Sequence, residues 1–367
     1  MNIDYVKSPR FYIPTLSFIV FLAIFVALFQ SGEKKYTAFP RMLTQWDGQH
    51  YLSIARDGYK VEPCTNRVST ICGNVGWFPG YPLVAYLLSW IPLNIQYILI
   101  GLSWLSFWLA LLLLYGITED FFNQKIAVTT LIALFVFPTS FYFLTVFPYS
   151  LYLLTVLVIF KLFFKKNYIL LTPLCGLLAV IYPSGIVITL PLLIYMIIER
   201  NELPKSVFIK IGSAITAVGA GLILYCLYYY VTFDNFFLYT DFQSQWFYAH
   251  KAAFPLYIVL KDISTMEYQH PVWIMLLFIP LFTSIFFNKK VNIYLLIYMF
   301  GIFLFTPTAG TTDCFYRHIL VAFPFFIMIG SAIERKKIRY LLPLYIVISL
   351  YYMFSIYLPY YKTGQLM

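Results

Sequence analysis

The first polar stretch of an otherwise apolar chain holds the residues best suited to chemistry. Residues 41–60 read RMLTQWDGQHYLSIARDGYK, in which Asp47 precedes Gly48 and an apolar helical pattern starts at Tyr51. Asp-Gly is typical of a turn or a helix start, and Gly58 is typical of a helix end. A carboxylate at a helix N-terminus is stabilised as the anion and can accept a proton from a hydroxyl group. Asp47 is therefore a candidate general base, and its more common role in this position, an N-cap, stays open beside it.

Arg317 is the main candidate for binding a phosphate group. It stands with His318 at the predicted start of an apolar helix. A guanidinium group binds phosphate through paired hydrogen bonds, and a helix N-terminus also favours anions. An arginine that only anchors a helix at the membrane surface is the alternative. Further candidates for the same role are Arg41, Arg56, His250 and Lys251.

Aromatic and amide side chains in the two long polar segments, 31–77 and 232–270, are candidates for binding a substrate. They are Trp46, Gln49, His50, Tyr51, Trp77, Gln243 and Trp246. Packing within a membrane-interface belt is the alternative for each aromatic residue. The four histidines share no i, i+4 spacing, so no metal site is assigned, and a divalent ion bound by carboxylates stays open. Asp57 is expected to lie on a solvated face.

Membrane helices must position these residues. The chain has 367 residues, of which 61% are hydrophobic and only 11% charged, against about 25% charged in a soluble domain. Mean hydropathy is +0.79. This composition excludes a secreted domain, a coiled coil, a disordered protein and a nucleic-acid module, despite the net charge of +10. The sequence predicts an all-α polytopic membrane protein with one membrane domain, 1–367.

Apolar runs between charged residues predict eleven membrane spans. They are 11–30, 97–117, 126–144, 149–164, 168–181, 184–198, 207–231, 271–287, 291–307, 318–333 and 341–358. No small-residue cleavage site follows the first run, so we interpret it as a retained helix. Residues 78–93 are predicted to form an interfacial helix, because a span there would place every later short basic loop outside. The N-terminus is then inside, and 31–96 and 232–270 are long non-cytoplasmic loops.

The first predicted outer loop contains two cysteines, Cys64 and Cys72, in the string CTNRVSTIC. An oxidising compartment would permit a disulfide that pins the loop, and two free thiols are the alternative. Cys175 and Cys226 lie in predicted spans and are expected to pack there. Residues 168–198 are expected to form two short helices beside a water-filled cavity, with a break at Tyr182-Pro183-Ser184-Gly185.

The first loop resembles the signature of a known family. The string WDGQHYLSIARDGY, followed by WFPGYP at 77–82, is similar to the first loop of the PIG-V-like (GPI mannosyltransferase 2-like) family, within the GT-C superfamily of membrane glycosyltransferases. The matching positions are Trp46, Asp47, His50, Tyr51, Leu52, Ile54, Ala55, Gly58, Tyr59, Phe78, Pro79 and Pro82. Gln243 with Trp246, and Arg317 with Pro324, resemble later elements of the family. Tyr149 and Tyr182 stand where the family usually has an acidic residue and an arginine.

The resemblance implies a GT-C-like bundle and an inverting glycosyltransferase. An apolar polyprenyl-phosphate sugar, with mannose as the sugar, would enter from the bilayer, and Asp47 would be the essential base. The partners implied are membrane lipid, the polyprenyl-phosphate-linked sugar, and a glycan, glycolipid or protein acceptor. No cofactor is implied. The expected location is the plasma membrane of a prokaryote, or the endoplasmic reticulum membrane if the protein is eukaryotic, with the active site on the non-cytoplasmic face.

Two other classes of function stay open. A transporter or flippase of a lipid-linked substrate usually carries ionisable groups at the bilayer midplane, and the predicted spans contain almost none. A non-catalytic subunit with a GT-C scaffold is favoured by the substituted family positions, Tyr149 and Tyr182.

Overall fold

The protein is an all-α membrane bundle, as the composition predicts. A computed structural model of the chain describes residues 7–64, 70–245, 252–265, 292–312, 314–332 and 339–364. It is 76% helical, and its sheet is one antiparallel pair of two-residue strands. The predicted span 271–287, the candidates Trp246, His250 and Lys251, and residues 246–251 and 266–270 of the second predicted loop lie outside the described residues.

The N-terminal part of the chain contains the first predicted outer loop. Its elements are α1 (Pro9–Gln30), α2 (Phe39–Leu43), α3 (Asp47–Asp57), β1 (Val61–Glu62), β2 (Cys72–Gly73) and α4 (Gly80–Leu87). The eight residues of α4 span about 12 Å, too short to cross a bilayer. This length agrees with the prediction that 78–93 does not span.

The middle of the chain alternates long and broken helices. Its elements are α5 (Ile95–Phe121), α6 (Gln124–Val136), α7 (Tyr149–Phe164), α8 (Leu171–Ile181), α9 (Thr189–Ile198) and α10 (Lys205–Phe233). Short 3-10 turns cover Ser140–Leu144 and Pro183–Ile188. The predicted break at Tyr182-Pro183 is confirmed, because Tyr182 is extended, as the residue before a proline prefers.

The last part of the chain returns to the first loop, where the Tyr361 carbonyl accepts a hydrogen bond from the Trp46 indole. Its elements are α11 (Leu238–Gln245), α12 (Pro255–Thr265), α13 (Ile293–Phe305), α14 (Phe315–His318), α15 (Phe323–Ser331), α16 (Leu341–Tyr352) and α17 (Leu358–Thr363). A π-helical turn, Met353–Tyr357, joins α16 to α17, so that this helix continues five residues beyond the predicted end at 358.

Four helices in the described residues have the length and apolar character to cross a membrane: Pro9–Gln30, Ile95–Phe121, Lys205–Phe233 and Leu342–Thr363. Shorter apolar helices, such as Gln124–Val136 and Tyr149–Phe164, pack among them. The bundle core is strongly aromatic, with fully buried Phe107, Phe143 and Tyr361.

The predicted spans 126–144 and 318–333 are not continuous α-helices. Residues 126–144 do not form one helix: α6 ends at Val136, because Phe137 precedes Pro138 and is extended. Residues 318–333 begin with a 3-10 turn, Ile319–Val321, and α15 starts only at Phe323. Proline therefore divides apolar runs that composition alone joins.

Candidate active site

Helix α3 begins at the candidate base. Asp47 is the first helical residue, and the N-cap position falls on Trp46, which makes no side-chain cap bond. The N-cap role considered for Asp47 is therefore wrong. The helix ends at Gly58, whose φ of 78° is the left-handed conformation that glycine favours, as the sequence predicts.

The Asp47 carboxylate forms an ion pair with Arg317. Oδ2 of Asp47 lies 2.9 Å from Nη1 of Arg317, and the side chains are 30% and 14% exposed, respectively. The guanidinium also lies over the Phe147 ring, with Cζ 5.6 Å from the centroid. Burial alone would lower the pKa of Arg317, but the electrostatic effects of Asp47, Cys314, Tyr149 and Tyr142 together outweigh it. The pKa of Arg317 is raised well above its ordinary value. The site therefore holds a permanent cation against a carboxylate.

The predicted position of Arg317 needs one correction. It does not begin a long apolar helix, since it lies in the four-residue helix α14, where the basic residues occupy the last turn. Favourable electrostatics from a helix N-terminus therefore do not act on a phosphate here. Buried Nε of Arg317 has no hydrogen-bond partner among the described residues, and this donor is available to a ligand.

The ion pair opens into a cavity of about 350 Å³, which we call the polar cavity because charged, amide and hydroxyl groups form part of its wall. This volume lies within the usual range for small-molecule sites, about 300–1,000 Å³. Polar and aromatic groups from many elements line it: Asp47, Tyr51, Trp77, Tyr182, Ser184, Tyr239, Gln243, Thr306, Thr308, Thr311, Cys314, Arg317 and His318. Six predicted site residues, Asp47, Tyr51, Trp77, Gln243, Arg317 and His318, thus meet at one cavity.

His318 is oriented through both ring nitrogens. Nε2 lies 2.6 Å from the Tyr182 hydroxyl, and Nδ1 lies 3.1 Å from Oγ1 of Thr306. The Tyr182 hydroxyl also lies 3.5 Å from that of Tyr149. The two positions at which the chain departs from the family pattern therefore adjoin each other beside His318.

Two hydrogen bonds to its backbone carbonyl hold Trp77 in place. The hydroxyl groups of Tyr59 and Tyr225 both donate to the Trp77 carbonyl, at 2.6 and 3.1 Å. The His50 ring stacks on the indole at a centroid distance of 3.5 Å. Burial lowers the pKa of His50, against the opposing charges of Asp47 and Glu62, so the imidazole is neutral at pH 7. His50 therefore supports Trp77 and does not itself line the cavity.

The other predicted site residues lie away from the cavity. The Trp46 ring packs on Tyr360, and Gln49 is exposed. Arg41 is exposed above the Tyr36 ring. Arg56 pairs with Asp57 at 2.8 Å on the solvated face expected for this carboxylate.

Several cavity residues were not predicted from the sequence. Thr306, Thr308 and Thr311 come from the polar run TPTAGTT, which interrupts an apolar region and could have been recognised as a loop. Tyr182 belongs to the predicted break in 168–198. Tyr239 and Cys314 carry no comparable signal.

A second, larger cavity is an apolar groove of about 910 Å³. Helices α3, α4, α8 and α10 line it, with Arg56 and Asp57 among its lining residues. From Ala217 to Tyr228 along α10 the groove extends about 16 Å, close to half the ~30 Å apolar thickness of a bilayer. Tyr59 and Tyr225, which hold the Trp77 carbonyl, are part of its wall.

Cys64 and Cys72 form a disulfide in the structure, with Cα atoms 5.2 Å apart. Cys72 lies in β2, which pairs with β1. Cys175, Cys226 and Cys314 are not part of a disulfide in the described residues.

Alkylation of the denatured protein without reductant is expected to label Cys175, Cys226 and Cys314 and to leave Cys64 and Cys72 unlabelled. Peptide mass spectrometry before and after reduction measures this pattern. Labelling of Cys64 and Cys72 before reduction, in protein purified from an oxidising compartment, would contradict the disulfide.

Among the described residues, no three His, Cys, Asp or Glu side chains gather as metal ligands would. A scan against protein-family models and a search of curated proteins both find no match for the chain. The relation to the PIG-V-like family therefore stays a prediction that rests on the first-loop residues quoted above.

Proposed function

We propose that the protein is an integral-membrane inverting glycosyltransferase that moves a sugar, mannose by resemblance, from a polyprenyl-phosphate donor to an acceptor hydroxyl. One observation carries this proposal: Asp47 and Arg317 form an ion pair at a polar cavity. Such a pair brings a proton acceptor and a phosphate ligand within reach of one substrate.

The reaction would proceed as a single displacement. Asp47 accepts the proton of the acceptor hydroxyl, whose oxygen attacks the anomeric carbon of the sugar. The bond from that carbon to the phosphate oxygen breaks, and its electron pair leaves with the polyprenyl phosphate. Arg317 binds this anion, whose charge increases as the bond breaks.

The ion pair describes the site before the donor binds. Nη1 of Arg317 forms the ion pair with Asp47, and Nε of Arg317 has no hydrogen-bond partner among the described residues. A donor phosphate would bind these N–H groups and draw the guanidinium from Asp47. Asp47 would then be free to accept the proton only after the donor is in place.

The apolar groove supports a lipid-linked donor. Its length of about 16 Å along α10 suits one leaflet of a bilayer. Its wall residues Tyr59 and Tyr225 hold Trp77, which lines the polar cavity. A polyprenyl chain in the groove would therefore lie next to the reacting phosphate.

Replacing Ala220 with tryptophan is expected to fill the groove. If the new side chain keeps about two CH2 groups of the donor chain out of the groove, the cost is ~1.6 kcal/mol, or about 15-fold in KM for a long-chain donor. The matched control is Ile223→Trp, on the exposed side of the same helix and outside the groove. A short-chain donor should be unaffected by either variant, and an unchanged KM for the long-chain donor in Ala220→Trp would contradict this use of the groove.

We also propose eleven membrane spans, with the N-terminus on the cytoplasmic side. Eleven spans with the N-terminus inside would place fifteen of the 25 Lys and Arg residues in cytoplasmic segments. The cavity would then face the non-cytoplasmic side of a prokaryotic plasma membrane.

Sugar release by the purified protein tests the function. Short-chain polyprenyl-phosphate mannose, glucose and arabinose are incubated with the protein in liposomes, and free or transferred sugar is measured. Turnover with one of these donors is expected. Movement of intact donor across the liposome membrane without sugar release would instead identify a flippase, and neither activity in folded protein would favour a non-catalytic subunit.

A further inference from the structure

The residue before the candidate base has an unusual backbone conformation. Trp46 has φ 57° and ψ −133°, in a region that residues other than glycine rarely adopt. Such a conformation costs about 1–3 kcal/mol and persists only where the surroundings enforce it. The conformation directs Asp47 towards Arg317 while the Trp46 side chain points elsewhere.

Helix α17 holds the Trp46 side chain. Nε1 of Trp46 donates to the Tyr361 carbonyl at 3.2 Å. The indole packs against the Tyr360 ring with centroids 4.8 Å apart. Both contacts come from one turn of α17, so the position of this helix sets the position of Trp46.

Helix α17 is in turn fixed to the end of α1. The Lys362 side chain is 7% exposed, and its ammonium donates to the carbonyl groups of Leu28, at 2.8 Å, and Ser31. Lys35 N–H donates back to the Lys362 carbonyl at 2.9 Å. Cations at the C-terminal end of a helix are favoured because they bind carbonyl groups that the helix leaves free.

The side of α3 away from Trp46 is also fixed. A Cβ atom on Gly48 would lie 3.0 Å from the Val146 carbonyl oxygen, so the start of α3 packs closely on this segment. The Val146 N–H donates to the Leu43 carbonyl at 2.9 Å. Asp47 therefore stands between a rigid contact at Gly48 and the Trp46 anchor on α17.

We propose that α17 is a positioning element for Asp47, and that Lys362 and Trp46 are positioning residues that connect it to α1 and α3. This inference rests on the proposed glycosyltransferase function. It assigns Trp46 to the support of the base and not to sugar binding. Displacement of a reacting group by about 1 Å can cost on the order of 100-fold in rate.

Lys362→Met tests the proposal, because it removes the ammonium and keeps an unbranched side chain. We expect kcat to fall about tenfold or more, with KM for the donor within about twofold, because Arg317 is left in place. Lys362→Arg keeps a donor to the same carbonyl groups and should restore most of kcat. Lys34→Met is the matched control. Lys34 donates to the Gln30 carbonyl at the end of α1, as Lys362 donates to carbonyl groups there, but Lys34 does not connect α1 to α17.

Trp46→Phe tests the second connection. It keeps an aromatic ring against Tyr360 and removes the bond to the Tyr361 carbonyl. It should lower kcat, with KM for the donor again within about twofold. A raised KM with an unchanged kcat would instead indicate sugar binding by Trp46 and would overturn its positioning role.

Hydrogen exchange gives a measurement that does not depend on turnover. The amides of Gly48 and Gln49 donate to the carbonyl groups of Gln45 and Trp46, both at 3.0 Å. Peptides covering 45–50 should exchange faster in Lys362→Met than in the wild type or Lys34→Met. Unchanged exchange, or faster exchange with unchanged kcat, would overturn the proposal. If the wild type released no sugar, the proposed function would fail, and the exchange comparison would still decide whether α17 holds the start of α3.

Discussion

Replacing Asp47 with asparagine is expected to lower kcat by about 10²–10⁴-fold, the usual contribution of a general base. Asparagine keeps the size of the side chain and an oxygen that can face Arg317, but it cannot take the acceptor proton. Steady-state sugar release from a short-chain donor measures the effect. KM for the donor should change far less than kcat, because the phosphate ligand remains.

Asp234→Asn is the matched control for this variant. Asp234 is an exposed carboxylate directly after α10, and it lines neither the polar cavity nor the apolar groove. Its replacement should leave both kinetic constants near the wild-type values. Because Asp47→Asn removes a charge that faces a largely buried Arg317, size-exclusion chromatography and hydrogen exchange must show that the variant is folded. Wild-type kcat in a folded Asp47→Asn protein would contradict the role of Asp47.

Replacing Arg317 with glutamine is expected to lower kcat/KM for the donor by about 30-fold or more. Removing one partner of a desolvated charge pair costs roughly 2–5 kcal/mol, and 2 kcal/mol is about 30-fold. The loss should affect donor binding as well as kcat, because the phosphate is bound before its bond breaks. Arg317→Lys should recover only part of it, since lysine lacks the planar pair of donors.

Cys314 provides a readout of donor binding at Arg317. It lines the same cavity and is not part of a disulfide in the described residues. Short-chain polyprenyl phosphate should slow its alkylation in the wild type and not in Arg317→Gln. Arg41→Gln serves as the control, because Arg41 lines neither the polar cavity nor the apolar groove. Equal protection of Cys314 in Arg317→Gln and in the wild type would contradict phosphate binding by Arg317.

Local sequence signals predicted the ends of helix α3 well. The Asp-Gly start and the Gly58 end of α3 follow from short-range conformational preferences, and so does the break before Pro183. These features depend on neighbours in the chain, which a sequence displays directly.

Features that depend on distant contacts were not predictable in the same way. The pairing of Asp47 with Arg317, and the packing of Trp46 on α17, join segments about 270 and 314 residues apart. Trp46 was expected to bind substrate, because an aromatic residue beside a base has no local signal that distinguishes stacking on a sugar from packing on Tyr360. The span 126–144 failed for a different reason, since hydropathy does not register the backbone effect of Pro138.

The position of Tyr149 and Tyr182 bears on the non-catalytic alternative. Sequence alone presents them as two separate departures from the family pattern, whereas the structure brings their hydroxyl groups to 3.5 Å beside His318. They therefore change one part of the cavity wall and leave the Asp47–Arg317 pair intact.

The most direct test of glycosyl transfer at this cavity is a single-turnover measurement on wild type and Asp47→Asn, each loaded with polyprenyl-phosphate mannose until Cys314 is protected. Both proteins should protect Cys314, and only the wild type should release the sugar within the time of one turnover. Sugar release at the same rate from both loaded proteins, or none from a loaded wild type with acceptor present, would contradict a catalytic role for the Asp47–Arg317 pair.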